Sequence, residues 1–277
     1  MRIFEGRHRS VRPEPSGQGP GRERFTDVHC HCLPGLDDGP SGPVEALALC
    51  RALAADGIRT VVATPHQFGR FEGKYGGREI HAAVQRLRES LREARVPVTV
   101  LAGADVRIDE QIPSRLDSGE VLTLGGAGRY LLLELPPEVF VDPQALLARL
   151  AQRGVVAIIT HPERHPFLAR HPGQVQRWAD YRPGLQITAA SFGGGFGRIS
   201  QDAAWAFLRQ PLPLLAATDA HDAIARPPRM TEAYGLLSRR LGRSVARRLC
   251  VENPQRVVSG QDLLMLARED LPGEVRE

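Results

Sequence analysis

Short apolar runs alternate with longer amphipathic stretches along the chain from residue 25 onwards. The apolar runs are nearly continuous and partly β-branched, which is typical of strands buried on both faces of a parallel sheet. This pattern predicts seven strands, namely FTDVH (25–29), IRTVVAT (58–64), VTVLAG (98–103), YLLLEL (130–135), VVAIIT (155–160), LQITAA (185–190) and PLLAAT (213–218).

Helical patterns fill the intervals between these predicted strands. The stretch 43–57 begins with a proline and ends with a glycine, and residues 78–94 have a charged outer face. Further helices are predicted over 142–154, 201–209, 231–248 and 254–267. Strands and helices that alternate in this way predict repeated βαβ units and an α/β fold class. Because a barrel is the natural closure of such units, seven strands rather than eight indicate a distorted (β/α)7 TIM-like barrel.

The first 24 residues differ from the remainder of the chain. They are rich in Arg, Pro and Gly and have no periodicity, which predicts a disordered tail over 1–24. Residues 25–277 are predicted to form a single domain, a length that barrels commonly have. The N-terminus lacks the apolar stretch of a signal peptide, and no apolar run approaches the ~20 residues of a membrane helix. We therefore expect a cytoplasmic protein without membrane insertion.

Charge and cysteine usage narrow the function classes. The net charge is +4, and much of the arginine lies in the tail and in RRLGRSVARR (239–248). Aromatic residues make up 5% of the chain and do not interleave the basic ones, so no nucleic-acid surface is expected. Cys30, Cys32, Cys50 and Cys250 form no CxxC pair and should stay reduced in the cytoplasm.

Histidines and carboxylates collect at the C-terminal ends of the predicted strands, where barrels place their active sites. His29 and His31 point to the same side of the first strand because residues i and i+2 do so, and Asp219 and His221 repeat that spacing after the last strand. The candidate metal ligands at these strand ends are His29, His31, His66, Asp105, Glu134, His161, Asp219 and His221. Imidazole and carboxylate ligands without thiolate suit Mn²⁺, Zn²⁺ or Fe²⁺, and so many candidates predict two or three ions.

These motifs resemble those of a known family, the bacterial protein-tyrosine phosphatases of the polymerase-and-histidinol-phosphatase (PHP) superfamily, which occur with capsule and exopolysaccharide genes. The similar stretches follow the family's order from residue 25 to about residue 260. They are DVHCHCLPGLDDGP, VVATPHQ, LAGADVRI, YLLLELP, ITHPERH, SFGGGFGR, ATDAHDAIARPP and ENPQRVVSG.

The resemblance implies a distorted barrel of the PHP superfamily with a trinuclear site that is usually activated by Mn²⁺. It implies one ion on His29, His31, Asp219 and Asp105, a second on Glu134 and His161 shared through Asp105, and a third on Asp38, His66 and His221. Arg164 and Arg226 match the family's phosphate-contacting arginines. The chain departs from the family at Asp105, where a glutamate is usual and the side chain is one methylene longer.

The function that the resemblance implies is hydrolysis of phosphotyrosine by a metal-bridged hydroxide, without a covalent enzyme intermediate. The expected partner is a phosphotyrosine protein, such as a bacterial tyrosine kinase of capsule or exopolysaccharide synthesis. The alternatives are another PHP phosphoesterase, such as a histidinol-phosphate phosphatase or a nuclease, and a non-catalytic, metal-stabilised regulatory domain. The spacing from Cys250 to Arg256 also fits the C-x5-R motif of cysteine-dependent phosphatases, but the loop between them holds a Glu and a Pro and is a poor phosphate cradle.

Overall fold

A computed structural model describes residues 23–271 of the chain. Most of the predicted disordered tail, residues 1–22, lies outside the described residues. At the start of the described part, the Glu23 carboxylate accepts hydrogen bonds from Arg243 and Arg247 at 2.8 and 2.7 Å. The strands are β1 (Phe25–Cys30), β2 (Ile58–Ala63), β3 (His66–Gln67), β4 (Thr99–Ala102), β5 (Asp105–Arg107), β6 (Tyr130–Glu134), β7 (Val156–Thr160), β8 (Gly184–Thr188) and β9 (Leu214–Ala217).

Helices lie between the strands as the periodicity predicts. They are α1 (Pro43–Ala55), α2 (Gly77–Glu93), α3 (Ile112–Asp117), α4 (Gln144–Ala151), α5 (Pro166–Arg170), α6 (Ala189–Phe192), α7 (Gly197–Phe207), α8 (Met230–Leu241), α9 (Arg243–Arg247) and α10 (Asn253–Val258). Shorter 3-10 turns lie at Gly69–Phe71, Leu124–Gly126, Pro162–Arg164, Pro172–Tyr181 and Arg268–Asp270, and a π-helical turn lies at Arg248–Glu252. Within residues 23–271, every helix is too short or too polar to cross a membrane.

All strand pairs are parallel, which confirms the α/β class. One sheet has the order β1-β2-β4, and the other has the order β3-β5-β6-β7-β8-β9. β3 follows β2 after Thr64 and Pro65, and β5 follows β4 after Gly103 and Ala104, so two short strands that were not predicted extend the strands predicted over 58–64 and 98–103. The backbone N–H of His31 donates to the carbonyl of Ala220 at 2.9 Å, which places the end of β1 beside the segment after β9.

The break between β4 and β5 has a steric cause. A Cβ atom at Gly103 would lie 2.6 Å from Val62 Cγ1, so only glycine allows the backbone to pass this close to β2. The chain then resumes as β5, in which Asp105 pairs with His66 in register. The break therefore brings two candidate ligands side by side.

Two predicted helices are wrong in extent. The stretch predicted over 231–248 is divided at Gly242, whose φ of 90° cannot continue a helix. The helix predicted over 254–267 ends at Val258, and a turn follows in which Gly260 has a φ of 63°. Glycine is favoured at both of these positions, because a backbone with positive φ is strained for other residues.

The core contains polar side chains as well as apolar ones. All residues of β1 and β8 are buried, including Asp27, His29 and Gln186. Asp105 is also fully buried. Buried polar groups are costly unless they have partners, so their concentration at the strand ends marks the site.

Candidate metal centre

All nine candidate ligands lie in one cluster at the C-terminal ends of the strands. They form four overlapping groups, in each of which one donor atom per residue lies within 4.8 Å of the others. The groups are His31, Asp38, His66 and His221; His29, Asp105 and His161; His29, His31 and Asp219; and His66, Asp105 and Glu134. Each group is of a size and donor type that a transition-metal ion uses.

The grouping differs from the one that the resemblance implies at Asp105 and at Glu134. Asp105 is not grouped with His31 and Asp219. The Glu134 carboxylate lies with His66 and Asp105, whereas His161 lies with His29 and Asp105. The sheet order explains the place of Glu134, because β6 lies next to β5, which carries Asp105 and pairs with β3. His161 comes from the end of β7 and faces β1 across the cluster, with its ring 5.7 Å from that of His29.

Hydrogen bonds from outside the ligand set orient the two histidines of β1. His31 Nδ1 lies 2.5 Å from Asp37 Oδ2, and His29 Nδ1 lies 2.9 Å from Gln186 Oε1. Both histidines therefore present Nε2 to the cluster, where Asp219 Oδ1 lies 3.3 Å from His29 and 3.4 Å from His31. Partners of this kind fix the ring orientation of metal-binding histidines.

Sequence reasoning missed Gln186, and Asp37 is not among the nine candidate ligands. The signal for Gln186 was available, since it is a polar residue within a continuous apolar run, as Asp105 and Glu134 are. Asp27 was also missed. Its buried carboxylate accepts the backbone N–H groups of Thr218 and His29 at 3.0 and 3.3 Å and so joins β1 to the segment after β9.

Electrostatic coupling within the cluster is strong. Burial alone would lower the pKa of His31, but the carboxylates of Asp37 and Asp219 outweigh it and raise that pKa to about 10. Burial and the neighbouring Asp105 carboxylate raise the pKa of Glu134 to about 7. Asp219 keeps a pKa well below its usual range despite burial, because His29, His31 and Arg164 favour its charged form. The cluster thus concentrates charge that requires compensation.

The donor atoms fit divalent cations. Within the described part of the chain, both carboxylate oxygens of Asp105 are buried and lack a hydrogen-bond partner. His221 Nε2 is also buried without a hydrogen-bond partner there. The nearest nitrogen atoms to Asp105 Oδ2 are those of His66 at 3.3 Å and His29 at 3.6 Å. Burying a charged carboxylate without hydrogen bonds costs on the order of several kcal/mol of folding free energy. A cation that uses these oxygens removes that cost.

Arg164 and Arg226 lie together beside the cluster. Both guanidinium groups contact Asp219 Oδ2, Arg226 Nη2 at 2.6 Å. The ring of Phe196, which sequence reasoning missed, lies 4.1 Å from the Arg164 guanidinium carbon and 6.0 Å from that of Arg226. An aromatic face of this kind holds guanidinium groups in place.

Two candidate ligands have strained backbone conformations. His161 has a φ of 30° and Asp219 a φ of 50°, in the left-handed region that favours glycine. Such residues cost about 1–3 kcal/mol each and cluster at functional sites.

Cys250 lies away from the cluster, in the π-helical turn Arg248–Glu252. It is fully buried, and burial raises its pKa above the usual thiol range. Arg256 uses Nη1 to donate to the carbonyl of Asp262 at 2.9 Å. The C-x5-R spacing therefore does not form a reactive phosphate loop.

Comparison with known proteins gives a consistent assignment. A family model described as capsular polysaccharide synthesis, CpsB/CapC, matches residues 25–259. The tyrosine-protein phosphatase YwqE of Bacillus subtilis is 28% identical over 239 residues, which cover 86% of this chain and 92% of YwqE. The tyrosine-protein phosphatase CpsB of Streptococcus pneumoniae is 27% identical over 242 residues, which cover 85% of this chain and 98% of CpsB.

Solved structures agree with the sequence relatives. One chain comes from the crystal structures of YwqE from Bacillus subtilis and CpsB from Streptococcus pneumoniae, which are described as unique metal-dependent tyrosine phosphatases. It superposes with a TM-score of 0.82 at 27% identity, over 87% of this chain and 97% of that chain. The lactonase Lmo2620 of Listeria monocytogenes superposes with a TM-score of 0.53 at 12% identity, over 88% of this chain and 95% of that one, which is a likeness of fold alone.

Proposed function

This chain belongs to the CpsB/CapC family of capsular polysaccharide synthesis, and on that basis we propose that it is a metal-dependent protein-tyrosine phosphatase. Its relatives YwqE and CpsB carry that activity in their names, and they favour it over a histidinol-phosphate phosphatase or a non-catalytic domain. The reaction class is phosphoric monoester hydrolysis. The proposed substrate is a phosphotyrosine protein, and the proposed regulatory target is a bacterial tyrosine kinase of capsule or exopolysaccharide synthesis.

The observation that carries this proposal is the carboxylate of Asp105, which has imidazole nitrogens at 3.3 and 3.6 Å but accepts no hydrogen bond from the described residues. It is fully buried, and it belongs to two of the four donor groups at once. A shared carboxylate suits a cluster of two or three ions, for which we propose Mn²⁺, with Zn²⁺ and Fe²⁺ as the alternatives. When bound, such ions supply a water nucleophile at neutral pH and stabilise charge on phosphoryl oxygens.

The residues of the chain have separate tasks in this proposal. The nine His, Asp and Glu side chains hold the ions, and Asp37 and Gln186 orient the two histidines of β1. Arg164 and Arg226 bind phosphoryl oxygens, because planar guanidinium groups match phosphate geometry and both lie beside Asp219 at the edge of the cluster. Phe196 holds the two guanidinium groups in position.

Tyrosine is also the favoured residue on chemical grounds. Its hydroxyl has a pKa of about 10, so the phenolate is a better leaving group than the alkoxide of serine. We expect an aryl phosphate to be hydrolysed faster than an alkyl phosphate at the same site.

We also propose that the two sheets form one distorted seven-stranded barrel. β2 continues into β3 and β4 into β5, while the end of β1 bonds to the segment after β9. These connections support a ring of strands with its polar end at the cluster. A cytoplasmic location remains a prediction from the sequence.

The test compares initial rates on a phosphotyrosine peptide and a phosphoserine peptide of the same sequence, after chelation and after Mn²⁺ is added back. We expect Mn²⁺-dependent turnover that is much faster on phosphotyrosine, and the same behaviour in Cys250→Ala, because Cys250 is buried away from the cluster. Loss of activity in the folded Cys250→Ala variant would contradict the metal mechanism. Bound metal without turnover on either peptide would contradict the phosphatase assignment.

A further inference from the structure

A cavity of about 360 Å³ opens beside the metal cluster. Two members of the cluster, His66 and Glu134, form part of its wall. A cavity of roughly 150 Å³ is enough to bind benzene, so this one accommodates an aromatic ring together with the atoms that join it to a phosphoryl group. A phosphoryl group bound at the cluster would have this cavity directly next to it.

The apolar surface of the cavity leads away from the cluster. The ring of Phe71 stacks on the imidazole of His66, with centroids 5.5 Å apart and an angle of 14° between the planes. Phe68 and Pro137 supply further apolar wall. Phe68 is buried and has a φ of 66°, a strained conformation of the kind that concentrates at binding sites.

Two arginines and two glutamates line the cavity, namely Arg70, Arg107, Glu134 and Glu138. Arg107 Nη2 donates to Glu138 at 2.9 Å, and Arg107 Nη1 lies 3.6 Å from Glu134 Oε2. The two guanidinium groups offset the two carboxylates, so the wall does not repel an anionic ester that approaches the cluster. This arrangement suits a substrate with a neutral, flat group next to its phosphate.

We propose that this cavity is the subsite for the aromatic ring of the phosphorylated residue, and that Phe71 is the residue that selects aryl over alkyl phosphate esters. The inference rests on the proposed function and adds to it the place where the substrate side chain binds. Phe71 contacts the ring and does not take part in the chemistry. Aromatic pairs are worth more than their buried area alone, which gives Phe71 a way to discriminate between the two ester classes.

An acidic side chain that flanks the phosphotyrosine is the competing occupant. Arg70 and Lys74 each place a cationic group 4.7 Å from the centroid of the Phe71 ring. However, Arg70 Nη2 already lies 2.5 Å from Asp38 Oδ2, and the side chain is 67% exposed. The observations therefore favour the aromatic ring.

The test measures kcat/KM of Phe71→Ala and Phe71→Leu on matched phosphotyrosine and phosphoserine peptides, with and without acidic flanking residues, at saturating Mn²⁺. Inhibition by inorganic phosphate, which has no aromatic ring, measures phosphate binding at the cluster alone. We expect kcat/KM on phosphotyrosine to fall about ten-fold, while phosphoserine turnover and phosphate inhibition change less than about two-fold. Phe71→Leu keeps an apolar contact with His66. It therefore controls for a distortion of the cluster that the smaller alanine could cause.

The matched control is Phe140→Ala. Phe140 is also half-buried, but it stacks on Phe167 with centroids 4.4 Å apart and lies outside the residues that line the cavity. We expect this variant to leave the ratio of phosphotyrosine to phosphoserine turnover unchanged.

Three results would overturn the inference. An equal fall on both peptides would assign Phe71 a structural role through His66, and an unchanged kcat/KM on both peptides in both variants would place the ring elsewhere. A fall confined to peptides with acidic flanks would assign the cavity to the flanking side chain. If the wild-type protein does not hydrolyse the phosphotyrosine peptide at all, the proposed function itself fails, which is a separate outcome.

Discussion

The metal cluster has two halves that differ in their access to solvent. The buried half includes His29, Asp105 and Asp219, whose side chains are between 0 and 3% exposed. The rim half includes Asp38, His66 and Glu134, whose side chains are 37%, 16% and 15% exposed. Water can satisfy the donors of the rim half, but the buried donors depend on partners within the protein or on ions.

This difference predicts different roles for the ions of the two halves. An ion in the buried half compensates carboxylates that have no access to water, so it should stabilise the fold as well as support activity. An ion in the rim half replaces water on donors that are already partly hydrated, so it should exchange more easily and affect mainly activity. Substitutions in the two halves can separate these roles.

The largest effect is expected for Asp219→Asn in the buried half. Asp219 contacts His29, His31 and both arginines, so its neutralisation removes a ligand and leaves the guanidinium groups without their partner. We expect activity to fall by at least about a hundred-fold, more than the loss of a supporting residue causes, together with a lower melting temperature.

Metal analysis, kinetics and calorimetry of Asp219→Asn measure these effects. The control is Asp202→Asn, which removes an exposed carboxylate paired with Arg198. Full metal content and activity in Asp219→Asn would contradict the assignment.

Asp105 offers a graded test of the same half. Asp105→Asn removes the charge that ions share, and we expect it to lose bound metal and most of its activity. Asp105→Glu keeps the charge and restores the residue that is usual in the family. We expect it to retain metal within about ten-fold of the wild-type affinity, because the extra methylene is a packing change and not a loss of charge. Metal titration of both variants decides the question, and equal affinities would show that Asp105 is not a ligand.

A smaller effect is expected at Asp37, which supports the cluster without belonging to it. Asp37→Asn weakens the hydrogen bond to His31 Nδ1 and leaves all nine ligands in place. We expect metal affinity to fall about 10- to 100-fold, with activity recovered at high Mn²⁺ concentration. Activity that stays low at saturating Mn²⁺ would mean that Asp37 has a direct part in the reaction.

The smallest effect is expected for Arg70→Ala at the outer edge of the rim half. Its ion pair with Asp38 is exposed to solvent and should contribute no more than about 1 kcal/mol. We expect kcat/KM to change by less than about five-fold and the melting temperature to stay the same. A larger loss of activity would indicate that Arg70 contacts the substrate.

The positions of most strands along the chain and the candidate chemistry were readable from the sequence because each of these buried strands is a nearly continuous apolar run. The histidines and acids after these runs stand out, and the spacing of His29 and His31 fixes their common side. All nine candidates do lie together. The sequence did not show the short strands β3 and β5 that follow β2 and β4, because Pro65 and Gly103 are compatible with either a loop or a bend.

Interactions between distant segments were not readable. The association of Glu134 with His66 follows from the position of β6 next to β5, which depends on the order of strands in the sheet. Phe196 lies in a glycine-rich loop and gains its place beside the arginines only in the folded chain. The helix predicted beyond Val258 was wrong because local periodicity outweighed the turn signal of Gly260 in the prediction.

The left-handed backbone at His161 and Asp219 has a consequence for protein engineering. At each position glycine would relax the chain by about 1 kcal/mol or more, yet it would remove the side chain that the cluster uses. A selection for stability of the metal-free chain alone would therefore favour replacement at positions where metal binding and catalysis forbid it. The sequence that is most stable without metal and the one that is most active diverge at these two residues.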